Sequence, residues 1–179
     1  MPTVLVIMAD GFEEIEAFTP IDLLRRAGVE VITASLPENR HVTGRSGITA
    51  HTDTTLTEVI NRNYTMVMLP GGAGVKHLRA DPRVVQIVRR HAEAKSWVAA
   101  ICAAPTVLLD CDMLSSCKYT AHFSVASELP HILQDEKVVT DGSICTSRGA
   151  GTAMEFGLQL VTLLCGNGKA AEISKAICL

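Results

Sequence analysis

Short β-rich apolar runs alternate with segments of helical periodicity along the whole chain. That alternation leaves one simple architecture, a parallel α/β sheet whose crossovers are helices. The clear strands are Thr3–Met8, Glu30–Ser35, Met66–Leu69 and Val98–Ile101. Weaker ones fall at Lys118–Thr120, Val138–Thr140 and Ile144–Thr146, while Val42–Ala50, with Gly44 and Gly47, reads as a β-hairpin outside the main sheet. Helices are predicted at Pro20–Ala27, Pro82–Ala94, Pro105–Leu109, Thr152–Cys165 and Lys169–Ile177. Thr19 before Pro20 and Asp81 before Pro82 each put a capping side chain ahead of a proline at the first helical position. The helix from Thr152 is apolar nearly all round and is therefore expected to be buried. At 179 residues, without an internal repeat or linker, the chain reads as one domain over 1–179.

The formal charge of -3, with acids and bases interspersed, argues against nucleic acid or a membrane surface as the main partner. Val4–Met8 is too short for a signal peptide or a span, lacks a basic lead-in and runs into Asp10 and Glu13, so a cytoplasmic protein is expected. Six cysteines without C-x-x-C spacing suit neither a disulfide framework nor a zinc ribbon. The histidines (His41, His51, His77, His91, His122 and His131) include no H-x-x-x-H and no pairing with cysteine at ligand spacing, so no metal is expected. Gly149-Ala150-Gly151 before a helix resembles a dinucleotide fingerprint, but Met154 stands where the third glycine belongs, and no nicotinamide cofactor is expected.

The strand Val98–Ile101 ends abruptly at Cys102, with small residues on both sides and Pro105 opening the next helix. A sharp strand-to-helix turn of this kind exposes a nucleophile at the top of a sheet, and the helix N-terminus should lower the thiol pKa. A small buried core thiol is the alternative. Ligands of such sheets collect beyond the carboxyl ends of the strands, where Asp10–Glu16, Pro70-Gly71-Gly72 and Cys102 should converge. A carboxyl pressed against the thiol would be desolvated and hold its proton, but among Glu13, Glu14 and Glu16 the spacing does not choose. The amides of Pro70–Gly74 form either an oxyanion pocket or a plain tight turn. His122, after a predicted strand, is the best candidate base. Arg26 is either a solvated helix end or a reach toward an anionic substrate group.

Five segments together resemble the ThiJ/PfpI superfamily, in the branch of the Parkinsonism-associated deglycase: Gly11–Glu16, Asp22–Gly28, Leu69–Gly72, Ala99–Pro105 and Thr146–Thr152. They keep the family's order over nearly the whole chain. The resemblance implies a flavodoxin-like three-layer sandwich with a mostly parallel sheet, akin to class I glutamine amidotransferases, and a homodimer. It places Cys102 on the family's oxidisable nucleophile, Glu16 on its protonated hydrogen-bonding carboxyl and His122 on its nearby histidine, with amides of Gly71, Gly72 and Ala103 around the oxyanion. It also starts the first helix near Glu14, kinked at Pro20, and brings Arg45 toward the pocket, one position displaced. Ala103 stands where superfamily proteases and many chaperone-glyoxalases carry histidine, and no late His-x-Glu follows Asp141 as amidotransferases require. The implied activity is cofactor-free, cysteine-dependent conversion of reactive dicarbonyls such as methylglyoxal, or of their adducts. The implied alternative is a redox sensor and chaperone acting through a Cys102 sulfinate.

Overall fold

A computed structural model describes residues 1–179. Seven strands form the main sheet: β1 (Thr3–Met8), β2 (Glu30–Ser35), β5 (Thr54–Thr55), β6 (Met66–Leu69), β7 (Trp97–Ile101), β8 (Val138–Asp141) and β9 (Ile144–Ser147). Their order is β5-β2-β1-β6-β7-β9-β8, all neighbours parallel except the β8/β9 pair at one edge. The five inner strands follow the flavodoxin-like order, and the chain switches direction across the sheet between β1 and β6. The hairpin β3 (His41–Thr43) and β4 (Thr49–His51) stands apart as its own two-stranded sheet.

Alternation along β1 sends Leu5 and Ile7 into one core and Val4, Val6 and Met8 into the other. The first core is closed by α2 (Leu56–Val59), α3 (Val75–Ala80), α4 (Pro82–Glu93) and α5 (Pro105–Asp110). The second is closed by α1 (Glu14–Arg26), α6 (Ala153–Cys165) and α7 (Asn167–Ala176), with Val42 of the hairpin beneath. Gly157 lets α6 approach α1 closely, since a Cβ there would stand 2.6 Å from Leu23 Cδ1 and 3.1 Å from the Pro20 Cα.

Five elements depart from the reading of pattern and spacing. Helix α1 begins at Glu14, as the family resemblance implied and not at Pro20 as the capping pattern did, because Glu13 and not Thr19 is its cap; the buried Pro20 lies inside it and gives up one backbone hydrogen bond. Lys118–Thr120 joins no strand ladder. Its amides are taken by side chains, Lys118 N–H by Asp141 (2.8 Å) and Thr120 N–H by the Thr146 hydroxyl (2.9 Å). The short elements β5, α2 and α3 lie in stretches without a usable period. No helix is long and apolar enough to cross a membrane.

Candidate active site

The loops after β1, β6 and β7 meet at the carboxyl edge of the sheet, and a bridge between Phe12 and Gly72 ties the first two together. Strand β7 is held on both sides by parallel neighbours and delivers Cys102 in the left-handed region, at φ +67°. A non-glycine residue there is strained, and two hydrogen bonds fix it: Cys102 N–H donates to Ser147 O (2.9 Å), and His122 N–H donates to Cys102 O (2.8 Å). The backbone N–H groups of Gly72 and Ala103 lie beside the sulfur and favour its charged form. Gly72, at φ +92°, accepts this close approach because it has no Cβ to meet Glu13 N and the Phe12 carbonyl carbon.

Capping decides which glutamate reaches the thiol. Glu13 takes the cap position and accepts the Glu16 N–H (2.8 Å), while lining the same cavity. Glu14 turns the other way and accepts Ser46 N–H of the hairpin (2.8 Å). Glu16, one turn into α1 and 1% exposed, is left facing Cys102, within hydrogen-bonding contact of its side chain. Its carboxyl also accepts Gly71 N–H (3.0 Å) and an amide from Ala150. Gly71 is required by packing: a Cβ would strike the Glu16 carboxyl and stand 2.6 Å from Cys102 Cβ.

Burial dominates the electrostatics. It raises the Glu16 carboxyl to about 7, helped by the charge of Glu13. It also pushes the Cys102 thiol up, to about 12 beside the charge and hydrogen bond of Glu16. The expected lowering of the thiol by the following helix is therefore overturned, since α5 has only six residues and cannot offset burial next to an acid. The two groups titrate as a pair. Above about pH 7 they hold one proton between carboxyl and sulfur, with two amides beside the sulfur end.

His122 joins the same cavity of about 430 Å³, together with Arg45. Its Nδ1 lies 3.2 Å from the Ser124 N–H and 2.8 Å from the Ser124 hydroxyl. A backbone N–H can only donate, so Nδ1 is an acceptor and the neutral ring is assigned its proton on Nε2. His122 therefore offers a donor through Nε2, not the base expected from sequence. Arg26 does not reach this cavity. It pairs with Asp22 (2.6 Å) and borders a separate groove with Phe18 and Met154. Ser124 was missed, and the wall formed by Gly149 and Ala150 was read only as an incomplete dinucleotide fingerprint and as part of the Thr146–Thr152 segment. Gly149 packs near His122 Cδ2 and the Glu16 carboxyl. No disulfide forms; Cys111 and Cys145 are buried.

The sequence pattern of the DJ-1/PfpI family matches residues 2–163. The chain is 36% identical over 177 residues to Protein dj-1beta of Drosophila melanogaster, covering 97% of this chain and 95% of that protein. It is 30% identical over 178 residues to the glutathione-independent glyoxalase DJR-1.2 of Caenorhabditis elegans, covering 98% and 95%. Among solved structures, the oxidized DJ-1 of Toxoplasma gondii superposes with a TM-score of 0.95 at 31% identity, covering 99% of this chain and 98% of that one.

Proposed function

The chain belongs to the DJ-1/PfpI family, and from that premise we propose that it converts reactive dicarbonyls, or frees their adducts, through Cys102. Its relatives, one of them named a glyoxalase, support a DJ-1-type role in stress defence. The observation that carries the finer reading is the pair itself: a strained Cys102 with the Gly72 and Ala103 amides beside its sulfur, facing a buried acid raised to about 7.

With methylglyoxal, the Cys102 sulfur attacks the aldehyde carbon while Glu16 gives its proton to the carbonyl oxygen, forming a hemithioacetal. The Gly72 and Ala103 amides lie beside the sulfur, where the developing oxyanion is held. The Glu16 carboxylate then removes the proton from the former aldehyde carbon and returns it to the neighbouring carbon, while the hydroxyl proton on the first oxygen passes to the second. His122 steadies the second oxygen through its Nε2–H. The product is a lactoyl thioester, and water hydrolyses it to lactate and the free thiol. Overall, methylglyoxal plus water gives lactic acid, with no net oxidation and no cofactor in the scheme. An adjoining groove of about 590 Å³ shares His122 and Ala150 with the cavity and is bordered by Lys137 and Arg148, giving room for the body of a larger adduct.

A second reading rests on the same amides. A sulfinate on Cys102, formed by two successive peroxide oxidations that each release water, would take its hydrogen bonds from them and from protonated Glu16. The chain is proposed to act as a homodimer. Ile15 and Phe18 on one face of α1, with Ile48 beside the hairpin, leave apolar surface exposed for it. The test is proton NMR of methylglyoxal in an amine-free buffer. Catalytic lactate from the wild type and none from Cys102→Ser supports turnover, whereas a stoichiometric adduct alone refutes it and leaves the redox reading.

A further inference from the structure

The six histidines divide by how their ring nitrogens are used. His91 is buried, with Nε2 facing the Tyr64 N–H and Nδ1 2.8 Å from Ile87 O, and so is a core residue. His122 belongs to the Cys102 cavity. His41 and His51 are different: both are exposed, and His51 Nδ1 and His41 Nε2 share a 3.3 Å hydrogen bond, one ring donating and the other accepting.

Their approach is built by the hairpin register. β3 and β4 pair antiparallel, with His41 opposite His51, Val42 opposite Ala50 and Thr43 opposite Thr49. Hydrogen bonds Gly44 N–H to Ile48 O (2.9 Å) and Thr52 N–H to Arg40 O (2.7 Å) fall at the alternate positions. His41/His51 is thus a non-hydrogen-bonded pair, the kind in which opposing side chains stand closest. Alternation turns these two rings away from the core, while Val42 on the other face is fully buried. The neighbouring Thr43 and Thr49 hydroxyls, 3.0 Å apart, and the bond from Thr43 N–H to Asp10 (2.8 Å) hold the register.

We propose that the cross-strand pair His41 Nε2 and His51 Nδ1 is a two-point chelate for a zinc ion on the outer face of the hairpin, with water in the remaining positions. Two imidazole nitrogens at about 2.0–2.1 Å from a tetrahedral zinc stand about 3.3–3.4 Å apart, which is the spacing already present. Square-planar copper or nickel would need about 2.8–2.9 Å between adjacent nitrogens, so the spacing favours zinc. Zinc replaces the hydrogen bond between the two rings: the proton that lay between them moves to the donor ring's other nitrogen, so that His41 carries its proton on Nδ1 and His51 on Nε2, and no covalent or redox step is involved. The site is independent of the Cys102 chemistry. It also lies on the face of the hairpin opposite the Val42 side.

Zinc sulfate titrated into the reduced full-length protein, with histidine ring nitrogens followed by 15N NMR, tests this. The expected result is that His41 Nε2 and His51 Nδ1 shift together and saturate at one equivalent, unchanged in Cys102→Ser. Removing a direct ligand with His41→Ala or His51→Ala should weaken binding by at least about tenfold, the lower end of what loss of a supporting residue costs a metal site. Both replacements are on exposed positions, and retained amide spectra of β3 and β4 would confirm the hairpin. Zinc taken up with neither ring shifting, with only one shifting, or with equal affinity in both variants would overturn the site.

Discussion

Replacing Glu16 by Gln keeps the shape of the side chain and its acceptor for Gly71 N–H, and removes its titration. Burial moves this acid from 4.5 to about 7. An acid with a higher pKa folded than unfolded binds its proton more tightly in the native state. Its contribution is therefore fully present below about pH 4.5 and is lost as pH rises through about 7. The gap, at about 1.4 kcal/mol per pH unit, comes to about 3 kcal/mol. Asp53, Asp81 and Glu58 shift the other way and gain stability as pH rises from the acid side, but they are common to both chains and cancel in the comparison. Urea unfolding of wild type and Glu16→Gln at pH 4.5 and pH 8 is the assay. Between these values the variant should gain about 3 kcal/mol relative to the wild type, a change in midpoint difference of roughly 1–2 M urea. The result holds whether the proton lost near 7 leaves the carboxyl or the sulfur, because only the number bound matters. Parallel pH dependence in the two chains would refute the raised acid and the argument from burial.

Gly71→Ala should cut turnover by roughly 100-fold, because the new Cβ forces Glu16 and Cys102 apart; steady-state kinetics with unchanged far-UV spectra would show it. Ser124→Ala removes the hydroxyl 2.8 Å from His122 Nδ1 but keeps the Ser124 N–H that fixes the tautomer, so kcat should fall by less than about tenfold with KM unchanged in steady-state kinetics. Gly157→Ala overpacks α6 against Leu23 and Pro20 of α1 and should cost about 1–3 kcal/mol in urea unfolding while leaving KM unchanged. Phe18→Glu should shift the proposed dimer to monomer in sedimentation equilibrium, the patch being an exposed apolar face on α1.

Strands β1, β2 and β6 were legible to the residue, because their apolar runs are bounded by clear breaks and buried on both faces. β5 and α2, two and four residues long, carry too little pattern to be seen, and α3 rises directly out of the glycine-rich loop. Lys118–Thr120 has strand composition, but the place beside β7 is taken by β9. At the site, the convergence of three loops followed from topology alone. The choice among Glu13, Glu14 and Glu16 did not follow from spacing and came only from the family resemblance, which named Glu16. It depends on the phase of α1, set by Glu13 as cap, whereas composition pointed to Thr19 and Pro20. The direction of the Cys102 shift was misread for a related reason. Spacing shows a helix following the thiol, but not how deeply an acid is buried beside it.

Cys102 and Glu16 act as one proton-sharing pair. The rate of Cys102 alkylation by iodoacetamide, followed by peptide mass spectrometry from pH 5 to 10, measures it directly. The account predicts an inflection near pH 7 in the wild type that is absent in Glu16→Gln. An inflection at the ordinary thiol value of about 8.5 in both chains would contradict it.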